Sequence, residues 1–312
     1  MGWFLVPIVN SGLDNIAQTN SFSATNSTFF CLPIVYAYVS TNTATVNLTD
    51  TSLGAGTTIY SLDNGSIAAT TLYEADAGAN VLRATITQYR VFNFTASYNL
   101  TKYGLGKDIS GALLTFISLF HVDPNDELSA TRVISVDDGD QLQIITTFVI
   151  EVPWLTTSKN FTITNVGVVT GNATFYAVTT TNNNIRNAIL SAFWPGGNGI
   201  SGVGTQLRTT ITAGLSSARD TTFANAIGPT SRVNPDPYPY STGTFTKVNQ
   251  YRMDVGSGNG NQLGWAIGYN VAGGTAPLDY GYKFVLTSPA SMTKTTDNTL
   301  TMDYTITWNE AA

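Results

Sequence analysis

One alternating ribbon is written twice in this 312-residue chain, late in each half. Residues 140–150 read "DQLQIITTFVI" and residues 298–308 read "NTLTMDYTITW". Asp140 aligns with Asn298, Leu142 with Leu300, Ile144 with Met302, Thr146 with Tyr304, Phe148 with Ile306 and Ile150 with Trp308. Strand side chains alternate between faces, so Leu142, Ile144, Thr146, Phe148 and Ile150 share one face. Gln141, Gln143 and Thr147 share the other, diluted by Ile145 and Val149. Each Leu, Ile or Phe buried this way contributes about 1.5–3 kcal/mol relative to exposure. A half-buried strand repeated at this spacing constrains the chain to a duplicated β architecture.

Other segments recur in order. "ISLFHVD" (117–123) pairs with "AIGYNVA" (266–272), and "ELSATRVI" (127–134) with "YGYKFVL" (280–286). The tripeptide Gln88-Tyr-Arg90 returns as Gln250-Tyr-Arg252. Each half opens on a strand that runs into a short helical pattern, "WFLVPIVNSGLDNIAQ" (3–18) and "FYAVTTTNNNIRNAILSAF" (175–193). In the second, Ile185, Ile189 and Leu190 lie on one helical face, with Asn182 to Asn184 as cap residues. The expected fold is all-β: two tandem antiparallel β-sandwich modules, jelly-roll-like, each opened by a short helix. Module boundaries fall at 1–154 and 155–312, with "NFTITNVGVVTGNATFY" supplying an extra hairpin near the start of the second. Further strands of the first module are expected near 28–40, 44–49, 57–61, 81–98 and 111–122.

Composition supports this class. Charged residues make up 11% of the chain, against about 25% in typical domains. Thr, Asn, Ser and Gly take their place, which suits strand faces and turns. A net charge of −6 with scattered Arg and Lys argues against a nucleic-acid surface. The single cysteine, Cys31, excludes an intrachain disulfide and a Cys-rich zinc site. "MGWFLVPIV" is too short to span a bilayer and lacks the marks of a secretory signal, so membrane insertion is not expected. Surface-protein composition without an export signal fits a component of a particle assembled in a cytoplasm.

At both module ends the order of segments resembles modules of tailed-bacteriophage virion proteins of the tail-fibre or tail-collar kind. Asn10-Ser-Gly12-Leu13, Leu128-Ser-Ala-Thr-Arg132-Val133 and Gly139-Asp140-Gln-Leu142 carry the match, and "YGYKFVLTSPASMTKTTDNTLTMDYTITW" fits it in the second half. The resemblance covers about half of the chain, and its motifs are structural. It implies a virion component that is assembled in the host cytoplasm and contacts other virion proteins and copies of itself. No heptad run or collagen-like shaft is present, so a compact tail, collar, neck, vertex or cement part is expected in place of a long fibre. Alternatives are a host-glycan receptor-binding module and a capsid protein of a viral shell.

Chemistry-bearing candidates are few. Asp123, Asp126, Asp137, Asp138 and Asp140 offer oxygen ligands for calcium, but Asp, Asn and Gly are also the residues of hairpin turns. Glu74, Asp76 and Glu127 are carboxylates that nothing in the sequence places together for glycoside cleavage. His121 is the only histidine, and no Gly-x-Ser-x-Gly elbow exists to meet it. "FWPGGNGISGVG" (193–204) lacks the Gly-Lys-Ser/Thr ending of a phosphate loop. "NPDPYPYSTG" (234–243) is held extended by its prolines, and Tyr238 and Tyr240 with Trp194 offer an aromatic contact surface for protein or glycan. Trp3, Phe4, Leu5 and Val6 offer a strand for assembly through a neighbour's sheet edge. The expected function is therefore non-enzymatic, without cofactor or metal.

Overall fold

The computed structural model describes residues 10, 12, 28–29, 32–33, 36–47, 49–56, 58–62, 70–106, 114–120, 130–163, 166–177, 184–186, 188–189, 206–210, 217–219, 223, 231–232, 243–256, 258–269 and 280–307. The chain is all-β, mostly strand with almost no helix, and its sheets are antiparallel. Residues 10, 12, 184–186 and 188–189 are helical.

The first strands are β1 (Thr28–Phe29), β2 (Leu32–Pro33), β3 (Tyr36–Ser40), β4 (Thr58–Leu62) and β5 (Thr70–Asp76). There follow β6 (Val81–Asn93), β7 (Tyr98–Leu100), β8 (Lys102–Gly106), β9 (Leu114–Leu119), β10 (Ile134–Val136) and β11 (Gln141–Pro153). Next come β12 (Thr156–Ile163), β13 (Gly167–Ala177), β14 (Gln206–Thr210), β15 (Ser231–Arg232) and β16 (Thr246–Met253). The last are β17 (Gly260–Gln262), β18 (Gly264–Tyr269), β19 (Tyr280–Ser288), β20 (Met292–Lys294) and β21 (Leu300–Thr307).

Residues 44–47, expected as strand, are not one. Side chains there compete for the backbone: Ala44 N–H donates to Asn42 Oδ1 at 2.9 Å and Asn47 N–H to Asp50 Oδ2 at 2.9 Å. Such Asx-type bonds bend the chain away from a ladder. The expected strand 81–98 ends at Asn93, and β5 and β8 arise where no strand was expected.

β11 pairs with β6 over thirteen rungs, from Gln141↔Asn93 to Pro153↔Val81. Its inward face carries Leu142, Ile144, Thr146, Phe148, Ile150 and Val152, all buried or half-buried, as period two predicts. Leu82, Ala84, Ile86, Gln88, Arg90 and Phe92 of β6 face the same way and are fully buried. β5 completes this sheet in the order β11-β6-β5. A four-stranded sheet, β4-β3-β8-β9, packs against it: Phe116 of β9 meets Phe148 of β11 edge-on at 6.0 Å.

The second half repeats this set of pairings. β16 pairs with β21 as β6 does with β11, β17 with β20 as β7 does with β10, and β18 with β19 as β8 does with β9. β14 lies on β18 as β3 lies on β8. Rungs correspond as well: Phe92↔Leu142 is matched by Met253↔Leu300, and Asn99↔Ser135 by Asn261↔Thr293. Trp265 and Phe284 stack at 5.9 Å in a core with Met253 and Leu300.

Two expected alignments shift. β9, which holds most of "ISLF", corresponds to β19 and not to the "AIGY" strand, whose counterpart is β8. Neighbouring strands of one sheet share the same apolar alternation, so sequence pattern alone does not separate them. The two Gln-Tyr-Arg copies also stand one rung apart. Arg90 faces inward at 1% exposed, whereas Arg252 is exposed and pairs with Asp254 at 2.7 Å. A one-residue offset moves every side chain to the opposite face.

The "NFTITNVGVVTGNATFY" hairpin is present as β12 and β13. β13 also pairs with β19, so the five-stranded sheet runs β12-β13-β19-β18-β14. The largest core does not stop at residue 154: Phe175, Ala177, Ile185, Ala188 and Ile189 belong to it together with Leu82, Ala84 and Ile86.

Candidate functional site

Where the two halves meet, a short strap at residues 217–219 is bound on every side. Ser217 O accepts from Thr156 Oγ1 at 3.0 Å and Thr174 Oγ1 at 3.1 Å. Ala218 O accepts from the buried Lys283 Nζ at 2.6 Å, and that ammonium lies 4.8 Å from the Tyr176 ring centroid. Arg219 O accepts from Ala177 N–H at 3.0 Å and Trp154 Nε1 at 3.1 Å.

The Arg219 side chain then reaches into the first half. Its guanidinium lies 4.3 Å from the Trp154 ring centroid and donates to Trp154 O at 2.8 Å, Asn80 Oδ1 at 2.5 Å and Ala77 O at 3.2 Å. Asn80 holds a left-handed φ of 58°, which the β5–β6 turn requires and asparagine tolerates. A fork of donors on planar acceptors plus a stacked ring is a role for arginine that lysine cannot fill. Asn80, Leu155, Thr156, Ala218 and Arg219 line an open cleft of about 650 Å³ at this seam. Among the lining residues described, the Arg219 guanidinium is committed to Trp154, Asn80 and Ala77, so that it clamps the strap to the first half.

The outer face of the β11-β6-β5 sheet has a different character. Leu72 (51% exposed), Val149 (45%) and Ile145 (43%) stand on it, with Thr85 between Leu72 and Val149 and Tyr89 opposite Ile145. At one end, Arg83 gathers three carboxylates: Glu151 at 2.6 Å, Asp76 at 3.5 Å and Glu74 at 3.8 Å. Glu74 and Asp76, considered for glycoside cleavage, are thus neighbours around one arginine. The Ala79 N–H bond to Asp76 Oδ1 at 2.8 Å, aided by Arg83, holds the Asp76 carboxyl below its ordinary range. Burial raises the Tyr73 phenol above its ordinary pKa against the opposing charge of Arg186.

Asp137 and Asp140 close the turn between β10 and β11. Asp140 Oδ2 accepts from Asp137 N–H at 2.8 Å, Asp140 N–H donates to Asp137 O at 3.0 Å, and Ser97 Oγ donates to Asp137 Oδ1 at 2.7 Å. Gly139 between them has φ +87°, where glycine avoids strain. Among the described residues no group of three or more His, Cys, Asp or Glu is placed to hold a metal ion. No described helix is long and apolar enough to cross a membrane.

Trp194, Tyr238 and Tyr240 lie outside the described residues, as do Trp3, Phe4, Leu5 and Val6. The same holds for Cys31, His121, Asp123, Asp126 and Glu127. Arg219 and the strap were missed in the sequence because a lone arginine in a stretch without apolar alternation carries no periodic signal. No family model, curated protein or solved structure matches the chain.

Proposed function

We propose that the chain is a non-enzymatic structural component of a bacteriophage virion, built from two tandem β-sandwich modules at residues 1–154 and 155–312. It acts by protein–protein assembly with copies of itself and with other virion proteins, in a tail, collar, neck or vertex position. The observation that carries this reading is the recurrence of the β6·β11, β7·β10 and β8·β9 pairings, in the same chain order, in β16·β21, β17·β20 and β18·β19. Of the segments that carry the resemblance to virion modules, Gly139-Asp140-Gln-Leu142 leads into β11, and the second-half stretch holds β19, β20 and β21. The shared core and the Arg219 clamp support a fused pair that presents one fixed surface. The aliphatic side chains on the outer sheet face suit contact with protein, and the low charge suits contacts of weak salt dependence.

The test is peptide mass spectrometry of purified particles from a host expressing the chain's source genome, followed by electron microscopy to place its density. The reading expects the chain in stoichiometric, fixed copies. Its absence from intact particles overturns the reading.

A further inference from the structure

Lys102, the first residue of β8, is 3% exposed. Among the described residues its Nζ makes one hydrogen bond, to Asn42 Oδ1 at 2.9 Å. A buried ammonium has three donors to satisfy. Lys294, equally buried, shows what a structural lysine does: its Nζ reaches Asp254 O at 2.8 Å, Asn259 Oδ1 at 3.0 Å and Val255 O at 3.5 Å. Among the described residues Lys102 has no such cage. Desolvation lowers its pKa, with the nearby Asp50 carboxylate pulling the other way, so the neutral amine is reached more readily than on a solvated lysine.

Asn42 is held like an electrophile. Its Oδ1 also accepts from Ala44 N–H at 2.9 Å, and its Nδ2 donates to Ala55 O. Its own backbone is pinned on both sides, N–H to Ser40 Oγ at 3.1 Å and carbonyl from Thr101 Oγ1 at 2.6 Å. Gly54 lies against the amide: a Cβ there would stand 3.3 Å from Asn42 Cγ. A fixed carbonyl with a backbone N–H at its oxygen and an amine beside it is an arrangement for acyl transfer.

We propose that Lys102 and Asn42 join in an intramolecular isopeptide bond. The Lys102 ammonium first releases a proton to solvent. Its Nζ then attacks Asn42 Cγ, and the carbonyl electron pair moves onto Oδ1, where the Ala44 N–H receives it. Nζ sheds its second proton and Nδ2 takes one up, exchanged through solvent. The Cγ–Nδ2 bond breaks, the carbonyl re-forms, and ammonia leaves. One amide is exchanged for another, without oxidant, water or cofactor. The link lies beside the Ser40↔Lys102 rung and stitches the end of β3 to the start of β8, a covalent brace in a chain whose single cysteine cannot supply one.

Intact mass and a tryptic map of the purified full-length protein test this. The expected result is a mass lower than the sequence mass by one ammonia, a branched peptide joining the Asn42 and Lys102 segments, and loss of cleavage after Lys102. Lys102→Met and Asn42→Ala, each checked for folding by circular dichroism, are expected to keep the full mass of their own sequences. A wild-type map with normal cleavage after Lys102 and no branched peptide overturns the proposal, and that map requires no variant to fold. A branched peptide at Lys294 in place of Lys102 overturns it equally.

Discussion

Ser135 Oγ donates to Asn99 Oδ1 at 2.8 Å across the β7–β10 rung, and at the corresponding rung of the second half Thr293 Oγ1 donates to Asn261 Oδ1 at 2.6 Å. The hydroxyl and amide types are kept while the surrounding residues differ. Each turn that follows also sets a short polar side chain on a backbone donor: Asp140 Oδ2 accepts from Asp137 N–H at 2.8 Å, and Thr295 Oγ1 accepts from Asp297 N–H at 3.3 Å. Short polar side chains that answer local backbone donors fix where each closing strand begins.

Replacing Arg219 loosens the seam between the halves. Arg219→Met removes three donated hydrogen bonds and the stack on Trp154. The expected loss is about 1.5–3 kcal/mol of unfolding free energy, the scale of a charged hydrogen bond, with a shifted tryptophan emission in the folded state. Arg219→Lys restores less than half of it. Urea titration followed by fluorescence measures both, and a change below about 0.5 kcal/mol for Arg219→Met, the range of ordinary surface substitutions, counts against the clamp.

Gly171 is set by collision. A Cβ there would stand 2.4 Å from Phe284 Cζ and 2.5 Å from Val285 O, at the point where the β13–β19 register shifts. The backbone oxygen cannot rotate away, so Gly171→Ala costs about 1–3 kcal/mol by overpacking. Gly139→Ala meets nothing within 4 Å, and its cost comes from a φ of +87° alone, about 1–2 kcal/mol. Chemical denaturation of both variants separates the two causes when Phe284→Leu is added: it relieves part of the Gly171→Ala cost and none of the Gly139→Ala cost.

The two faces of β11 differ in sensitivity. Phe148 is buried against Phe116, so Phe148→Ala costs about 3–5 kcal/mol. Val149 is 45% exposed, so Val149→Thr stays within about 0.5 kcal/mol. Thermal unfolding of the pair checks the alternation directly, and equal losses contradict it.

Acid weakens the β5–β6 turn. The folded-state pKa of Asp76 lies below its unfolded value, chiefly through the Ala79 N–H bond. The stabilisation is therefore present above the unfolded pKa and lost as pH falls through the folded one. Wild type is expected to lose melting temperature faster than Asp76→Asn as pH is lowered from about 5 to about 2, across the carboxylate range. Parallel slopes for the two proteins overturn that assignment.

Legibility followed periodicity. Leu142 to Ile150 declare their faces because one sheet side is buried, and the hairpin at 156–177 declares itself through alternation between Asn and Gly turns. The all-β class, the closing strands and the acidic turn were readable for that reason. Residues 44–47 were not, because their apolar alternation is overridden by Asn42 and Asp50 side chains. The clamp was invisible because Arg219, Trp154 and Asn80 come together only through tertiary packing. The Lys102–Asn42 pair was hidden likewise, since nothing in sequence predicts that a strand-opening lysine is buried beside an asparagine from another strand's end.

The most direct test of the repeated plan is disulfide trapping at corresponding rungs in a Cys31→Ser background. One variant carries Asn99→Cys with Ser135→Cys, the other Asn261→Cys with Thr293→Cys, residues that stand directly opposite in β7–β10 and β17–β20. Opposed antiparallel residues lie about 4.5–5.5 Å apart at Cα, within disulfide reach. The account predicts that both pairs oxidise in the folded protein without loss of melting temperature. One pair closing while its counterpart stays reduced would contradict it.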